Sequence, residues 1–140
     1  KTYDTDYKDA IACSSRQIAQ LVAWIQQQDF YANTTVIVTG DHLSMSAEME
    51  KELGGYSHRR VYNCFLNAAA APVKTQERVF TAMDMFPTTL AALGVQIEGD
   101  RLGIGTNLFG TRQTLAEELG FETYEQEISR HSSFFDSLAY

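Results

Sequence analysis

The fold of this chain is decided by residues 34–42, which read TTVIVTGDH. Residues 34–39 are all β-branched, and such a short run predicts a buried strand of a sheet. Gly40 then lets the backbone turn sharply, and a carboxylate and an imidazole follow directly at Asp41 and His42. In open α/β sheets, ligands bind just beyond the carboxyl ends of the strands. The stretch therefore predicts a central strand with a ligand site at its end.

Asp41 and His42 are a candidate pair of metal ligands, because they place a hard oxygen beside an imidazole nitrogen. That combination suits Mn²⁺, Zn²⁺ or Mg²⁺. A divalent cation needs three or more protein ligands, or two together with substrate and water. The sequence has no second acidic or histidine cluster with ligand spacing, so we expect the remaining ligands to come from elsewhere. The alternative is local: Asp41 caps the next turn and His42 makes a nearby hydrogen bond.

The composition limits the classes of protein to consider. A chain of 140 residues is long enough for one modest domain, and its net charge of −7 argues against a nucleic-acid binder. It contains no run of about 18 apolar residues, so no transmembrane helix is predicted in it. The chain starts at Lys1 without Met, which suggests a fragment of something longer. Cys13 and Cys64 are compatible with one disulfide or with two free thiols.

The first half of the chain predicts a helix followed by two strands. Apolar residues recur at spacings of three and four over residues 6–28, which indicates an amphipathic helix. That helix followed by the strand at 34–39 suggests a parallel sheet, whose earlier strands are expected upstream of Lys1. Residues 43–52 predict a short helix or an active-site loop. Residues 61–67 alternate and are rich in aromatic side chains, which favours a second strand.

The second half predicts short helices between glycine-rich connections. Residues 84–94 indicate a helix with Asp84 as its N-cap and Gly94 at C′. Residues 99–110 contain four glycines and predict a loop. Capping boxes predict one helix from Thr114 to Gly120, and a final helix that begins near Thr123. We expect the apolar tail to pack onto the body; its members are Phe134, Phe135, Leu138 and Tyr140.

The other chemical candidates are weaker than the Asp-His pair. His58, Arg59 and Arg60 suit contact with an anionic substrate, since arginine binds phosphate through two hydrogen bonds. The alternative for these three residues is a solvated entrance to the second strand. His131 lies among polar residues and is expected at the surface. Neither Ser14 nor Ser15 has the exposed turn and nearby base that a serine nucleophile requires.

Four blocks of sequence, taken together, carry a family resemblance. They read VIVTGDH at 36–42, YNCFLN at 62–67, DMFPTTLAALGV at 84–95 and GDRLGIGTNL at 99–108. In this order they resemble the C-terminal part of the sulfatase-like, alkaline-phosphatase superfamily. The closest likeness is to its phosphoglycerol transferase and lipoteichoic acid synthase branch. The resemblance covers nearly the whole chain.

The resemblance implies a fold and half of a metal site. The fold is α/β, the C-terminal portion of an alkaline-phosphatase/sulfatase-like domain, with a mainly parallel or mixed sheet flanked by helices. Residues 1–140 would form one C-terminal fragment of the catalytic domain. Asp41 and His42 match the family's Asp-His metal ligands, with Mn²⁺ expected first and Mg²⁺, Zn²⁺ or Ca²⁺ as alternatives. The catalytic threonine and the acidic ligand of the family have no match here and are expected upstream.

The resemblance also implies a function and a location. It implies transfer of glycerol phosphate from a phosphatidylglycerol-type lipid, on the extracytoplasmic side of a bacterial cell membrane. The fragment alone would be inactive, with the missing N-terminal part of the domain as its partner. We expect an excised piece to expose a sheet edge and apolar surface, and to form a homodimer. The alternatives are a sulfatase, phosphodiesterase or phosphoethanolamine transferase of the same superfamily, and a non-catalytic structural or interaction module.

Overall fold

A computed structural model describes residues 5–54, 60–74 and 77–138. Helices and short strands alternate from α1 to β3, and after β4 the described chain is helical. The helices are α1 (Asp6–Gln26), α2 (Ala47–Glu52), α3 (Met85–Ala92), α4 (Leu115–Leu119), α5 (Phe121–Ile128) and α6 (Ser133–Ser137). The strands are β1 (Val36–Thr39), β2 (Asn63–Leu66), β3 (Arg101–Leu102) and β4 (Gly105–Thr106). In the described parts of the chain, no helix combines the length and apolar character that crossing a membrane requires.

The predicted first helix is confirmed as α1. Thr5 is its N-cap, and the Thr5 hydroxyl accepts a hydrogen bond from the Lys8 amide at 3.2 Å. Two aspartates lie in the first turn, where the helix dipole favours negative charge. The apolar stripe along α1 remains exposed, and it includes Tyr7, Ile11, Ile18, Leu21 and Trp24. α1 therefore presents an apolar face that the described part of the chain leaves uncovered.

The two predicted strands are confirmed, but they run antiparallel to each other. β1 pairs with β2 in a register that joins Val36 to Leu66 and Thr39 to Asn63. Three residues of β1 are half-buried and Thr39 is exposed, whereas the sequence predicted full burial. Of the two sheet types that the resemblance implies, this pair fits the mixed sheet. Cys64 lies half-buried on β2, Cys13 is exposed on α1, and both thiols are free.

Asp84 lies at the predicted N-cap position, directly before α3, but its side chain does not cap that helix. The helical path begins earlier, with a 3₁₀ segment at Ala82–Asp84 that leads directly into α3. Thr81 is the N-cap, and Asp84 is the third residue of a capping box in which its Oδ2 accepts the Thr81 amide at 2.8 Å. The other carboxylate oxygen, Oδ1, accepts the Thr106 amide of β4 at 2.7 Å. Asp84 is buried, so it joins the start of α3 to the β3–β4 hairpin.

The end of α3 is as predicted, and the apolar core lies beside it. Gly94 has φ of 89° and donates to the Ala91 carbonyl, while Val95 donates to the Leu90 carbonyl at 3.0 Å. These two bonds form a Schellman motif, which requires the left-handed conformation that glycine adopts without strain. Next to this helix end, Ala91, Ala92 and Phe109 form the buried cluster, with Phe65 of β2 edge-on to Phe109 at 5.5 Å.

The glycine-rich segment at 99–110 was predicted as a loop, and this is only partly right. It contains the β3–β4 hairpin, in which Arg101 pairs with Thr106 and Leu102 with Gly105. A side chain at position 105 would collide with the Met83 carbonyl, so the glycine allows the hairpin to lie against the start of α3. A pattern of scattered glycines indicates turns well, but it does not reveal such short strands between them.

The predicted capping box that opens α4 is confirmed, and the one proposed for the last helix is wrong. The Thr114 hydroxyl accepts the Glu117 amide at 3.1 Å, and Glu117 Oε2 accepts the Thr114 amide at 2.8 Å. α5 begins at Phe121, two residues before the predicted box at Thr123, because Gly120 (φ 82°) turns the chain directly from α4 into α5. The expected packing of the tail is also wrong for Phe134, Phe135 and Leu138, which are all exposed. Tyr140 lies outside the described residues.

Candidate metal-ligand pair

The end of β1 is held against the start of β2. Beyond the last ladder pair, the Gly40 amide donates to the Tyr62 carbonyl at 2.9 Å. A Cβ built on Gly40 would lie 3.1 Å from the Cβ of Val61, so the two backbones pass closely here. A larger residue at position 40 would push them apart. The glycine therefore places Asp41 at a defined point, one residue beyond the paired strands.

His42 is oriented by its own backbone surroundings. Its Nδ1 lies 2.7 Å from the Leu43 carbonyl oxygen. A carbonyl oxygen only accepts hydrogen bonds, so Nδ1 is the donor of this bond and Nε2 is the ring nitrogen that is left to bind a metal. Metal-binding histidines commonly donate their second nitrogen to a carbonyl or carboxylate in this way. The ring of His42 is therefore in the tautomer that a metal ligand needs.

One carboxylate oxygen of Asp41 accepts a local hydrogen bond, and the other oxygen is left to bind a ligand. Its Oδ1 accepts the His42 amide at 2.9 Å, which is the local capping role considered from the sequence. Its Oδ2 lies 3.6 Å from Nε2 of His42, and the two side chains are 89% and 60% exposed. The local hydrogen bonds thus use one atom of each side chain and leave Oδ2 and Nε2 on the same side of the turn.

The separation of these two atoms fits a shared cation. Bonds from a divalent transition metal to carboxylate oxygen or imidazole nitrogen are about 2.0–2.2 Å. Two such ligands at a tetrahedral angle lie roughly 3.4 Å apart on those bond lengths, close to the 3.6 Å found here. In residues 5–54, 60–74 and 77–138, no group of three His, Cys, Asp or Glu side chains is placed to hold a metal. Within the described structure, Asp41 and His42 are thus a pair of donors and not a complete site.

The segment after the pair is fastened to α1. The Tyr7 hydroxyl lies 2.6 Å from the Ser44 hydroxyl, and Lys8 Nζ lies 2.7 Å from a carboxylate oxygen of Glu52. Between these contacts, Ser46 caps α2 by accepting the Met49 amide at 3.4 Å. A loop and a short helix were the predicted alternatives for 43–52. Both are present, because the loop comes first and α2 follows it along the chain. The first turns of α1 hold the loop that directly follows the Asp-His pair.

The other predicted candidates do not join this pair in the described structure. His58 and Arg59 lie outside the described residues. Arg60, the first described residue after them, is exposed and directly precedes the residue that contacts Gly40. His131 is at the surface as predicted, and its Nε2 lies 2.7 Å from Asp136. The carboxylate is thus closer to Nε2 in the His131 pair than in the His42 pair, where the distance is 3.6 Å.

The sequence did not predict the ion pair of Arg78 and Glu117, which lies away from the Asp-His turn. Arg78 donates to Oε1 and Oε2 of Glu117 at 2.8 and 3.0 Å, and also to the carbonyls of Gly110 and Arg112. Burial on its own raises the pKa of Glu117, but the hydrogen bonds from Arg78 and from two backbone amides outweigh it and lower the pKa. Only the capping-box role of Glu117 was visible in the sequence.

A cleft of about 620 Å³ lies beside this ion pair. Its lining includes Lys74, Arg78, Gln113, Glu117 and Phe121, but neither Asp41 nor His42. The polar atoms of Arg78 and Glu117 are directed to each other and to backbone groups. The pair therefore ties the segment before α3 to α4.

A comparison with protein-family models identifies the class of protein to which this chain belongs. The model of the sulfatase family matches residues 2–95, two thirds of the chain, including the whole region from α1 to the end of α3. The chain belongs to the sulfatase family. The α/β fold class expected from the resemblance is confirmed by this membership.

Two curated relatives are more specific. Phosphoglycerol transferase I of Xanthomonas euvesicatoria pv. vesicatoria (strain 85-10) is 30% identical over 99 residues, which cover 71% of this chain and 14% of the relative. Phosphoglycerol transferase I of Xanthomonas axonopodis pv. citri (strain 306) is 31% identical over 84 residues, covering 60% of this chain and 12% of the relative. The chain thus spans less than one sixth of the length of either relative. No solved structure matches it significantly.

Proposed function

We propose that this chain is part of a metal-dependent phosphoglycerol transferase that acts on phosphatidylglycerol-type lipids. Family membership supports an enzyme of the sulfatase superfamily, and the names of two relatives favour phosphoglycerol transfer within it. The observation that carries the metal assignment is the 3.6 Å separation of Asp41 Oδ2 and His42 Nε2. Both atoms remain available because the local hydrogen bonds of the turn use Oδ1 and Nδ1.

In this proposal each residue of the pair has a separate task. Asp41 contributes one negative charge to the site, and His42 contributes a neutral nitrogen whose direction is fixed by the Leu43 carbonyl. A divalent cation, Mn²⁺ by preference, would supply Lewis acidity that favours a hydroxyl nucleophile and stabilises charge on the phosphoryl oxygens. A hydroxyl of the enzyme would displace diacylglycerol from the lipid phosphodiester. The hydroxyl of an acceptor would then take the glycerol phosphate and free the enzyme.

The proposal gives this chain one part of a larger catalytic domain. The threonine nucleophile and the acidic ligand would come from another part of the protein, at the extracytoplasmic face of a bacterial membrane. The 140 residues alone would be inactive and would bind Mn²⁺ weakly, because two ligands leave most of the coordination sphere to water. The exposed apolar stripe of α1 supports the further expectation that an isolated piece associates with a second copy.

The test uses the protein that contains this chain, purified in detergent with fluorescent phosphatidylglycerol. We expect release of diacylglycerol to depend on Mn²⁺. Asp41→Ala and His42→Ala should lower the rate by more than the roughly 10–100-fold that loss of an outer-shell partner costs. The matched controls are Asp136→Ala and His131→Ala, which remove a second exposed Asp-His pair and should leave the rate unchanged. Equal rates for the two sets of variants would contradict the assignment.

A sulfatase is the second candidate, because the family model that matches residues 2–95 is that of the sulfatases. The two reactions are distinguished by offering the same protein an aryl sulfate and the fluorescent phospholipid. Release of sulfate in preference to diacylglycerol would identify a sulfatase. In either case Asp41→Ala should abolish turnover, since both chemistries would use the same cation.

A further inference from the structure

We propose that Arg60 binds the anionic group of the substrate beside the Asp41–His42 pair. The proposal rests on the proposed function, and it adds a binding residue to that site. The evidence for it is the register of β1 and β2 and the backbone hydrogen bond between Gly40 and Tyr62, which lies just beyond these strands.

The register gives the first step of the argument. β1 and β2 are antiparallel, with Thr39 opposite Asn63, so residues that follow β1 face residues that precede β2. Gly40 still pairs with Tyr62 beyond the ladder, and the chain then bends at Asp41 and His42, next to the residues that lead into β2. Two residues far apart in the sequence, His42 and Arg60, therefore leave the strand pair at the same end.

The backbone contacts show that the two chains stay together beyond the ladder. The Gly40 amide donates to the Tyr62 carbonyl at 2.9 Å, and a Cβ on Gly40 would lie 3.1 Å from the Cβ of Val61. One residue advances the chain by about 3.8 Å. Asp41 and Arg60 are each a single step beyond that contact, so the long side chain of Arg60 has the reach to serve a ligand at the Asp-His turn.

Charge gives the second step. The chain has a net charge of −7, and Asp41 adds a carboxylate at the site itself, so an anionic substrate is repelled unless cations lie near it. Arg60 is exposed at this end of the strand pair. A guanidinium binds the oxygens of a phosphoryl group through two parallel hydrogen bonds, which fixes the orientation of the group as well as its charge.

The experiment separates the binding of metal from the binding of anion. The protein that contains this chain is titrated calorimetrically with Mn²⁺, and the Mn²⁺-loaded protein is then titrated with glycerol 3-phosphate. We expect Arg60→Ala to leave the affinity for Mn²⁺ unchanged and to weaken glycerol 3-phosphate binding about tenfold or more, as loss of a charge-assisted hydrogen bond does. Arg60→Lys keeps the positive charge but loses the planar guanidinium that makes two parallel hydrogen bonds. Its affinity for glycerol 3-phosphate should therefore lie between those of the unmodified protein and Arg60→Ala.

Arg130→Ala is the matched control. It also removes one exposed arginine and makes the same change in net charge, but it lies on the tail after α5. Its affinity for glycerol 3-phosphate should equal that of the unmodified protein. If Arg60→Ala binds glycerol 3-phosphate as tightly as the unmodified protein, the role of Arg60 is refuted while the metal pair stands. If the unmodified protein binds no Mn²⁺, the proposed function fails and this inference fails with it.

Discussion

Removal of the Arg78 guanidinium should cost the protein a large part of its stability. Arg78 makes four hydrogen bonds, two to Glu117 and two to the carbonyls of Gly110 and Arg112. The side chains of Arg78 and Glu117 are only 9% and 13% exposed. Arg78→Ala would leave a partly buried carboxylate with two backbone donors, Val79 and Thr114, and no cation.

The expected loss follows from that burial. Breaking a buried ion pair by removing one partner costs about 3–5 kcal/mol, and the small exposure of this pair places it near 3 kcal/mol. For a domain of this size that corresponds to a fall in Tm of about 10 °C. The control is Arg130→Ala: the Arg130–Glu127 pair is 73% and 53% exposed, and its loss should cost less than about 0.5 kcal/mol.

The assay is urea unfolding of the protein followed by circular dichroism, with a double variant to isolate the pair. Adding Glu117→Gln to Arg78→Ala removes the uncompensated charge, so the double variant should be less destabilised than the sum of the two single variants. Additive losses, or equal losses for Arg78→Ala and Arg130→Ala, would refute the reasoning that burial makes this pair matter.

Two further predictions concern carboxylates. The pKa of Glu117 is lowered in the folded state, so its contribution to the free energy of unfolding is complete above the usual carboxyl pKa of about 4.3 and is lost as the pH falls through the folded value. Urea unfolding at pH 7, 4 and 3 should therefore show the gap between the unmodified protein and Glu117→Gln shrinking with acidity; a constant gap would contradict this. In Asp84→Asn, an NH₂ group replaces one of the two carboxylate oxygens that accept the amides of Thr81 and Thr106, so a donor faces a donor. The free energy of unfolding should fall by about 2 kcal/mol. The exposed Asp136→Asn is its control, and equal urea midpoints for the two variants would argue against the buried role.

What the sequence predicted correctly depends on short-range rules. The capping box of Thr114 and the helix end at Gly94 each involve residues within five positions of one another, so their types and spacing are sufficient. The local hydrogen bonds of Asp41 and His42, which the sequence offered as an alternative to metal binding, are also short-range, because they join adjacent residues.

The features that the sequence did not predict depend on distant partners. Glu117 meets Arg78 from 39 positions away, and Asp84 meets Thr106 from 22 positions away. Before the chain is folded, Asp84 is indistinguishable from an ordinary N-cap, since its residue type fits that role equally well. The antiparallel pairing of β1 and β2 was also out of reach, because a strand's composition does not state the direction of its neighbour.

The hydrogen bond that sets the tautomer of His42 has a consequence for how this site can change. Its acceptor is the main-chain oxygen of Leu43, an atom that every amino acid possesses. Replacing the leucine side chain therefore does not delete the partner, as replacement of a carboxylate would. The orientation of the imidazole therefore depends on the path of the main chain, and a residue inserted between 42 and 43 would remove the acceptor from its place.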